Sequence, residues 1–181
     1  MIVHFIIIFV IILVFAVAFI YTSTYNKFQD YIIRINEAES KIDDTLREKY
    51  DIILKLNNII KEKIKTNKTL VDDLSDLKDK NISSFDMDRT LTEAMNKVNF
   101  VKEKYDSLDG DEEVVKYIYN IEDFDESLRA CKKYYNETIT EYNKLIRKIP
   151  YSFIGKILKY DEKTFFDGKN MNDKNIKDFK L

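Results

Sequence analysis

Hydrophobic positions along this chain follow two regimes that meet at Tyr21. From Ile2 to Tyr21 the run IVHFIIIFVIILVFAVAFIY is unbroken and carries no charge; after it, apolar residues recur at helical spacing and charged residues fill the gaps. Roughly 20 residues at ~1.5 Å each span ~30 Å, the hydrocarbon thickness of a bilayer. About 16 of them are Ile, Val, Leu or Phe, each worth at most ~0.3–0.6 kcal/mol at mid-bilayer, and His4 sits where it can reach the interface. The run therefore predicts a transmembrane anchor over residues 1–21, with Ile2, Phe5, Phe9, Leu13, Phe15, Phe19, Ile20 and Tyr21 facing lipid. Two alternatives fit less well. A cleaved signal would need a basic leader, and its A-x-A look-alike, Ala16-Val17-Ala18, lies inside the apolar run. A core helix of a soluble protein would need a polar face.

The next segment shows no break. Tyr25, Phe28, Ile32, Ile35, Ile42, Leu46, Ile53, Leu56, Ile60 and Ile64 recur at steps of three and four, with Glu39 and Lys49 as the polar members of the series. One helix is expected from the bilayer to about Thr66, its part beyond the membrane reaching ~60 Å. A bend is expected at Thr66-Asn67, then a short amphipathic stretch with Leu70, Leu74 and Leu77. Ser83 or Ser84 can cap a second helix starting near Phe85, with Leu91, Ala94, Val98, Val101 and Tyr105 inward and Gly110 closing it. The last long helix holds heptad steps through Val114, Tyr117, Ile121, Phe124, Leu128, Cys131, Tyr135, Thr138, Tyr142, Leu145 and Ile149, and Pro150 stops it. Phe153, Ile154, Ile157, Leu158 and Tyr160 predict a short helix, and Phe165-Phe166 a tail folding back. The expected architecture is all-α: an N-terminal transmembrane helix continuing into an elongated antiparallel bundle of three to four helices. Its divisions are residues 1–21 (anchor), 22–160 (bundle) and 161–181 (tail, partly docked, its polar end frayed).

Composition supports long helices, since 3 Gly and 1 Pro in 181 residues supply too few turns for a many-stranded fold. With 30 Lys+Arg against 32 Asp+Glu the chain lacks the basic excess of a nucleic-acid binder. A lone cysteine, Cys131, forms no intramolecular disulfide.

In the first long helix Ala38, Ile42, Asp43, Leu46, Lys49, Tyr50, Asp51, Ile52, Ile53 and Leu56 form a run A-x3-I-D-x2-L-x2-K-Y-D-I-I-x2-L, with Tyr25-Asn26 upstream. Tyr135-Asn136, Tyr142-Asn143, Ile149-Pro150 and Phe165-Phe166 follow in order. This pattern resembles the LemA family of bacterial membrane-anchored proteins. The chain departs from it at Glu39, where an aromatic residue is usual, and at Leu54-Lys55, which replace a Pro-Asn pair; residues 61–104 match by helical pattern alone. The resemblance implies an anchored helical bundle with no established catalytic activity, whose relatives are associated with a stress-related membrane metalloprotease and with magnetosome membranes.

Candidate chemistry is sparse. Di-iron bundles need Glu-x-x-His pairs, and the one histidine, His4, is in the anchor. Cys131 falls on an apolar stripe, as a small buried hydrophobe would. Asp43-Asp44, Asp72-Asp73 and Glu112-Glu113 read as solvated pairs, and glycine is too rare for a phosphate loop. Neither cofactor, metal nor small-molecule substrate is expected. The Tyr-Asn repeat remains: Tyr135, Asn136, Tyr142 and Asn143 are either a register row, tyrosines in the core and asparagines bonding across helices, or a face for a partner.

The expected role is a non-catalytic, membrane-tethered scaffold or adaptor, the alternative a membrane-linked sensor or stress-response accessory protein. Its expected partners are the membrane itself, crossed once, and another protein, a membrane protease among the candidates. Lys27, Arg34 and Lys41 follow the anchor closely, which by the positive-inside rule predicts a cell-membrane protein with its domain in the cytoplasm.

Overall fold

The computed structural model describes residues 1–65, Leu74 and residues 82–168. Among them lie four helices and no strand: α1 (Ile2–Lys63), α2 (Ser84–Lys104), α3 (Glu112–Arg147) and α4 (Tyr151–Ile157). The expected bend at Thr66-Asn67, Leu70, Leu77 and the tail beyond Gly168 fall outside the described residues. Contacts divide the chain into two units, Met1–Glu37 with Tyr135–Leu181, and Ala38–Tyr134.

In the unit Ala38–Tyr134 the core is an aliphatic ladder. Ile42, Leu46, Ile53, Leu56 and Ile60 of α1 meet Leu91, Ala94, Met95 and Val98 of α2 and Val114, Ile121 and Leu128 of α3, all buried. Two ion pairs fix the direction of α1 against α3: Lys49 pairs with Asp125 and Lys63 with Asp111, so a step back along α1 matches an equal step forward along α3. The two helices are antiparallel. Asp88 of α2 pairs with Lys132 of α3 at 2.8 Å, and Ser84 at the start of α2 bonds to Asp43. These contacts set α2 antiparallel to α3 and parallel to α1. Within the connection from α1 to α2, Leu74 is fully buried and its carbonyl accepts a bond from the Tyr50 hydroxyl at 3.0 Å.

The helix ends are capped by side chains. Ser83 Oγ accepts from the Asp86 N–H at 3.1 Å at the start of α2, and Asp111 Oδ1 accepts from the Glu113 and Val114 N–H groups at the start of α3. The Lys63 ammonium donates to Asp111, and this bond together with the two backbone donors holds its carboxyl below the usual range. The second helix ends earlier than its pattern indicates. Tyr105 is extended and exposed rather than inward, because the chain leaves the helix there to insert Leu108 into the core. Gly110 is left-handed (φ 80°), yet in that turn rather than at the helix end.

The other unit has an aromatic core. Phe28 and Ile35 of α1 join Ile139, Tyr142 and Leu145 of α3, and the half-buried rings of Tyr31, Tyr135, Tyr151, Tyr160 and Phe165 pack around them. Phe28 is its centre, edge-on to Tyr142 at 5.9 Å and to Tyr151 at 6.2 Å, and tilted against Tyr160 at 5.1 Å. The short helix α4 reaches Phe28 through Gly155, where a Cβ would stand 3.4 Å from the ring. It closes in a Schellman motif: the Tyr160 N–H donates to Gly155 O and the Lys159 N–H to Lys156 O, with Lys159 left-handed at φ 56°. The chain then turns back along α3.

Side-chain placement corrects the periodic reading at several points. Ala38, not Glu39, is buried, since a small methyl fills the stripe while the neighbouring carboxylate stays in water. Thr24 is buried and Tyr25 exposed. Ile149 is 88% exposed because α3 stops at Arg147, before the heptad series does. Ile139 and Asn143 are fully buried although each lies beside the series: Ile139 joins the cluster of Phe28 and Ile35, and Asn143 bonds the tail.

Candidate functional site

Every residue from Ile2 to Ser23 is exposed, including Ile2, Phe5, Phe9, Leu13, Phe15, Phe19, Ile20 and Tyr21. This part of α1 is long and apolar enough to cross a membrane. An uncharged helical surface of that length has its backbone satisfied internally, which lipid requires, and has no polar face for water. Thr22 bonds back to the Ala18 and Phe19 carbonyls, hiding its hydroxyl where the apolar run ends. Thr24 is the first buried residue, so the packed domain starts within a turn of the apolar run.

The Tyr-Asn row holds the chain's own tail. Asn143 is fully buried; its Nδ2 donates to Lys163 O at 2.8 Å and its Oδ1 accepts from the Lys163 N–H at 2.9 Å. Asn136 Oδ1 accepts from the Phe166 N–H at 2.9 Å. The spacing explains the fit. Seven residues of helix advance ~10 Å, and three residues of extended chain cover about the same distance. Arg147 extends the series, its guanidinium donating to both Glu162 oxygens at 2.6 and 2.8 Å. That fork holds Glu162 below, and Arg147 above, its ordinary pKa. Partners 162, 163 and 166 meet 147, 143 and 136 in turn, so the tail runs antiparallel to α3. Gln29 ties its beginning to α1, donating to the Tyr160 hydroxyl at 2.7 Å.

Chemically, an asparagine amide bonded to both backbone groups of one residue reads backbone, as a neighbouring strand would, and is indifferent to the side chain there. The tyrosines divide the work: Tyr142 is buried against Phe28, and Tyr135 is half-buried at the edge of the same cluster. Burial pushes the Tyr142 hydroxyl up to about 12, with Tyr160 and Asp161 adding to the effect. The register reading expected the asparagines to bond across helices; they bond the backbone of the extended tail instead. The available signal was the match between Asn136/Asn143 spacing and a short polar stretch following a helix stop.

Lys49 is buried to 1% along its side chain and delivers its ammonium to Asp125 of α3, which stays partly in water. Cys131 is half-buried on α3. Asp43 accepts from Ser84 and Glu113 lies 3.8 Å from the Lys63 ammonium, while Asp72-Asp73 are outside the described residues. Among the described residues no group of three or more His, Cys, Asp or Glu side chains could hold a metal ion.

The model of the LemA family matches residues 38–178, well over half of the chain. The match takes in all of α2, α3 and α4 and the tail that the asparagines hold. No curated protein matches the chain.

Proposed function

The chain belongs to the LemA family, and on that premise we propose that it is a single-pass membrane protein whose domain acts as a non-catalytic scaffold or adaptor for other membrane or envelope proteins. One observation carries this reading. A single unbroken helix is wholly exposed and uncharged up to Tyr21 and then forms the core of both units, so the domain is continuous with its anchor. Supporting it, the most deeply buried polar side chains among the described residues, Lys49 and Asn143, are committed to holding the chain together. The cytoplasmic orientation rests on Lys27, Arg34 and Lys41, and exposed Lys148 and Lys156 share the unit of Lys27 and Arg34.

The membrane part of the proposal is tested by fractionation. The full chain should sediment with membranes and resist alkaline carbonate, while a chain beginning at Thr22 should stay in the supernatant with strong helical circular dichroism. A full-length chain that remains in the supernatant after high-speed centrifugation defeats it. Protease added to cells stripped of their outer layers should leave the domain intact; its digestion would reverse the orientation. The scaffold role predicts a stoichiometric protein partner on affinity capture from detergent-solubilised membranes, a membrane protease being one candidate. Recovery of the chain alone under crosslinking would remove that role.

A further inference from the structure

Three strongly exposed apolar side chains lie on α4 or directly before it, in the unit that carries the apolar run. Ile149 is 88% exposed, Phe153 70% and Ile157 60%; Phe153 and Ile157, four apart, share the outer side of α4, and Ile149 stands in the turn just before it. The opposite side of α4 is buried through Ile154 and Gly155. Tyr151 lies under the Lys27 ammonium at 5.6 Å and edge-on to Phe28, so α4 sits about seven residues of helix, ~10 Å, beyond Tyr21. The headgroup layer is roughly 5–8 Å deep on each side of the hydrocarbon. Exposed Lys148 and Lys156 flank the row, and Lys27 is beside it.

We propose that Ile149, Phe153 and Ile157 form a second membrane contact, reaching into the headgroup layer of the leaflet next to the domain, with Lys148 and Lys156 drawn to anionic headgroups. The inference rests on the anchored reading above. Three features favour lipid over a protein as the occupant: the row belongs to the unit that carries the anchor, it lies within side-chain reach of the headgroup layer, and its flanks are basic. The contact would fix the tilt of α1 at the surface, because a single span leaves rotation and tilt to its flanking residues.

The chain contains no tryptophan, so a substitution supplies a single emitter. Full-length Phe153→Trp, Phe15→Trp in the anchor and Phe100→Trp in the other unit are reconstituted into phosphatidylcholine vesicles with and without phosphatidylglycerol. Phe153→Trp should emit to the blue of Phe100→Trp, resist acrylamide several-fold better, and be quenched by a headgroup-proximal lipid quencher. Lys148→Ser with Lys156→Ser should weaken that quenching only in the anionic vesicles. Ile157→Trp repeats the measurement should Phe153→Trp lose helical circular dichroism. If Phe15→Trp is quenched from deep in the bilayer while Phe153→Trp and Ile157→Trp match Phe100→Trp in acrylamide, the anchor stands and this contact is refuted. Protection from acrylamide without lipid quenching means a protein covers the row, which also refutes it. If Phe15→Trp itself escapes the deep quencher, the anchored reading falls and the contact with it.

Discussion

The two units close their cores with different means. Ala38–Tyr134 packs aliphatic side chains from three long helices, with heptad steps on α3 at Val114, Ile121 and Leu128. Met1–Glu37 with Tyr135–Leu181 has two long helices, one short one and an extended tail, and fills the space with rings around Phe28 and with asparagines that bond peptide groups. An extended segment has no stripe to interdigitate with a helix, and its unpaired N–H and C=O groups must be satisfied. Polar side chains projecting from α3 supply that satisfaction. The difference predicts unlike responses to similar truncations.

The largest effect is expected at Phe28. Phe28→Ala should destabilise its unit by ~3–5 kcal/mol, as should Tyr142→Ala, since each removes a fully packed ring. Unfolding of the detergent-solubilised chain, followed by amide exchange, should show lost protection around α4 and the tail first. Leu46→Ala in the aliphatic unit should cost ~2–5 kcal/mol and lower protection of α2 instead. Uniform loss in both cases would erase the distinction between the units.

Asn143→Ala should cost ~1–3 kcal/mol by orphaning both backbone groups of Lys163, and Asn136→Ala less, because it orphans one. Limited proteolysis should then cut within 161–168, where the parent resists. A tail that stays protected in Asn143→Ala would show that the rings alone hold it. Should either variant leave the melt unmoved yet abolish partner capture, the row is a binding face.

Protonation gives a finer test. Tyr142 ionises near 10 when unfolded and about 12 when folded, so its contribution is complete below pH 10 and is lost as pH rises through about 12. Tm should fall across that interval, and Tyr142→Phe should flatten the fall. Glu162 runs the other way: its lowered pKa contributes above 4.5 and is lost as pH falls below that value, so acid should loosen the tail before Phe28 is exposed. The smallest change is expected at Glu39→Ala, within ~0.5 kcal/mol, because the carboxylate is exposed. A loss of several kcal/mol there would restore Glu39 to the buried stripe.

The helices and the apolar run of membrane length were legible in the sequence, because both depend on short-range regularities: an uncharged stretch, heptad spacing, the stop at Pro150 and almost no glycine. Ser83 as a cap and the family likeness were legible for the same reason. Tertiary structure decided what depends on which neighbour arrives. It buried Ala38 and left Glu39 in water, gave Lys49 its carboxylate on α3, ended α2 early to seat Leu108, and left Ile149 outside the core. Above all it joined Asn136 and Asn143 to a tail 20 to 30 residues away in the chain. An asparagine looks the same in sequence whether it meets water or a peptide group, because periodicity records which face a residue is on and not what comes to lie against it.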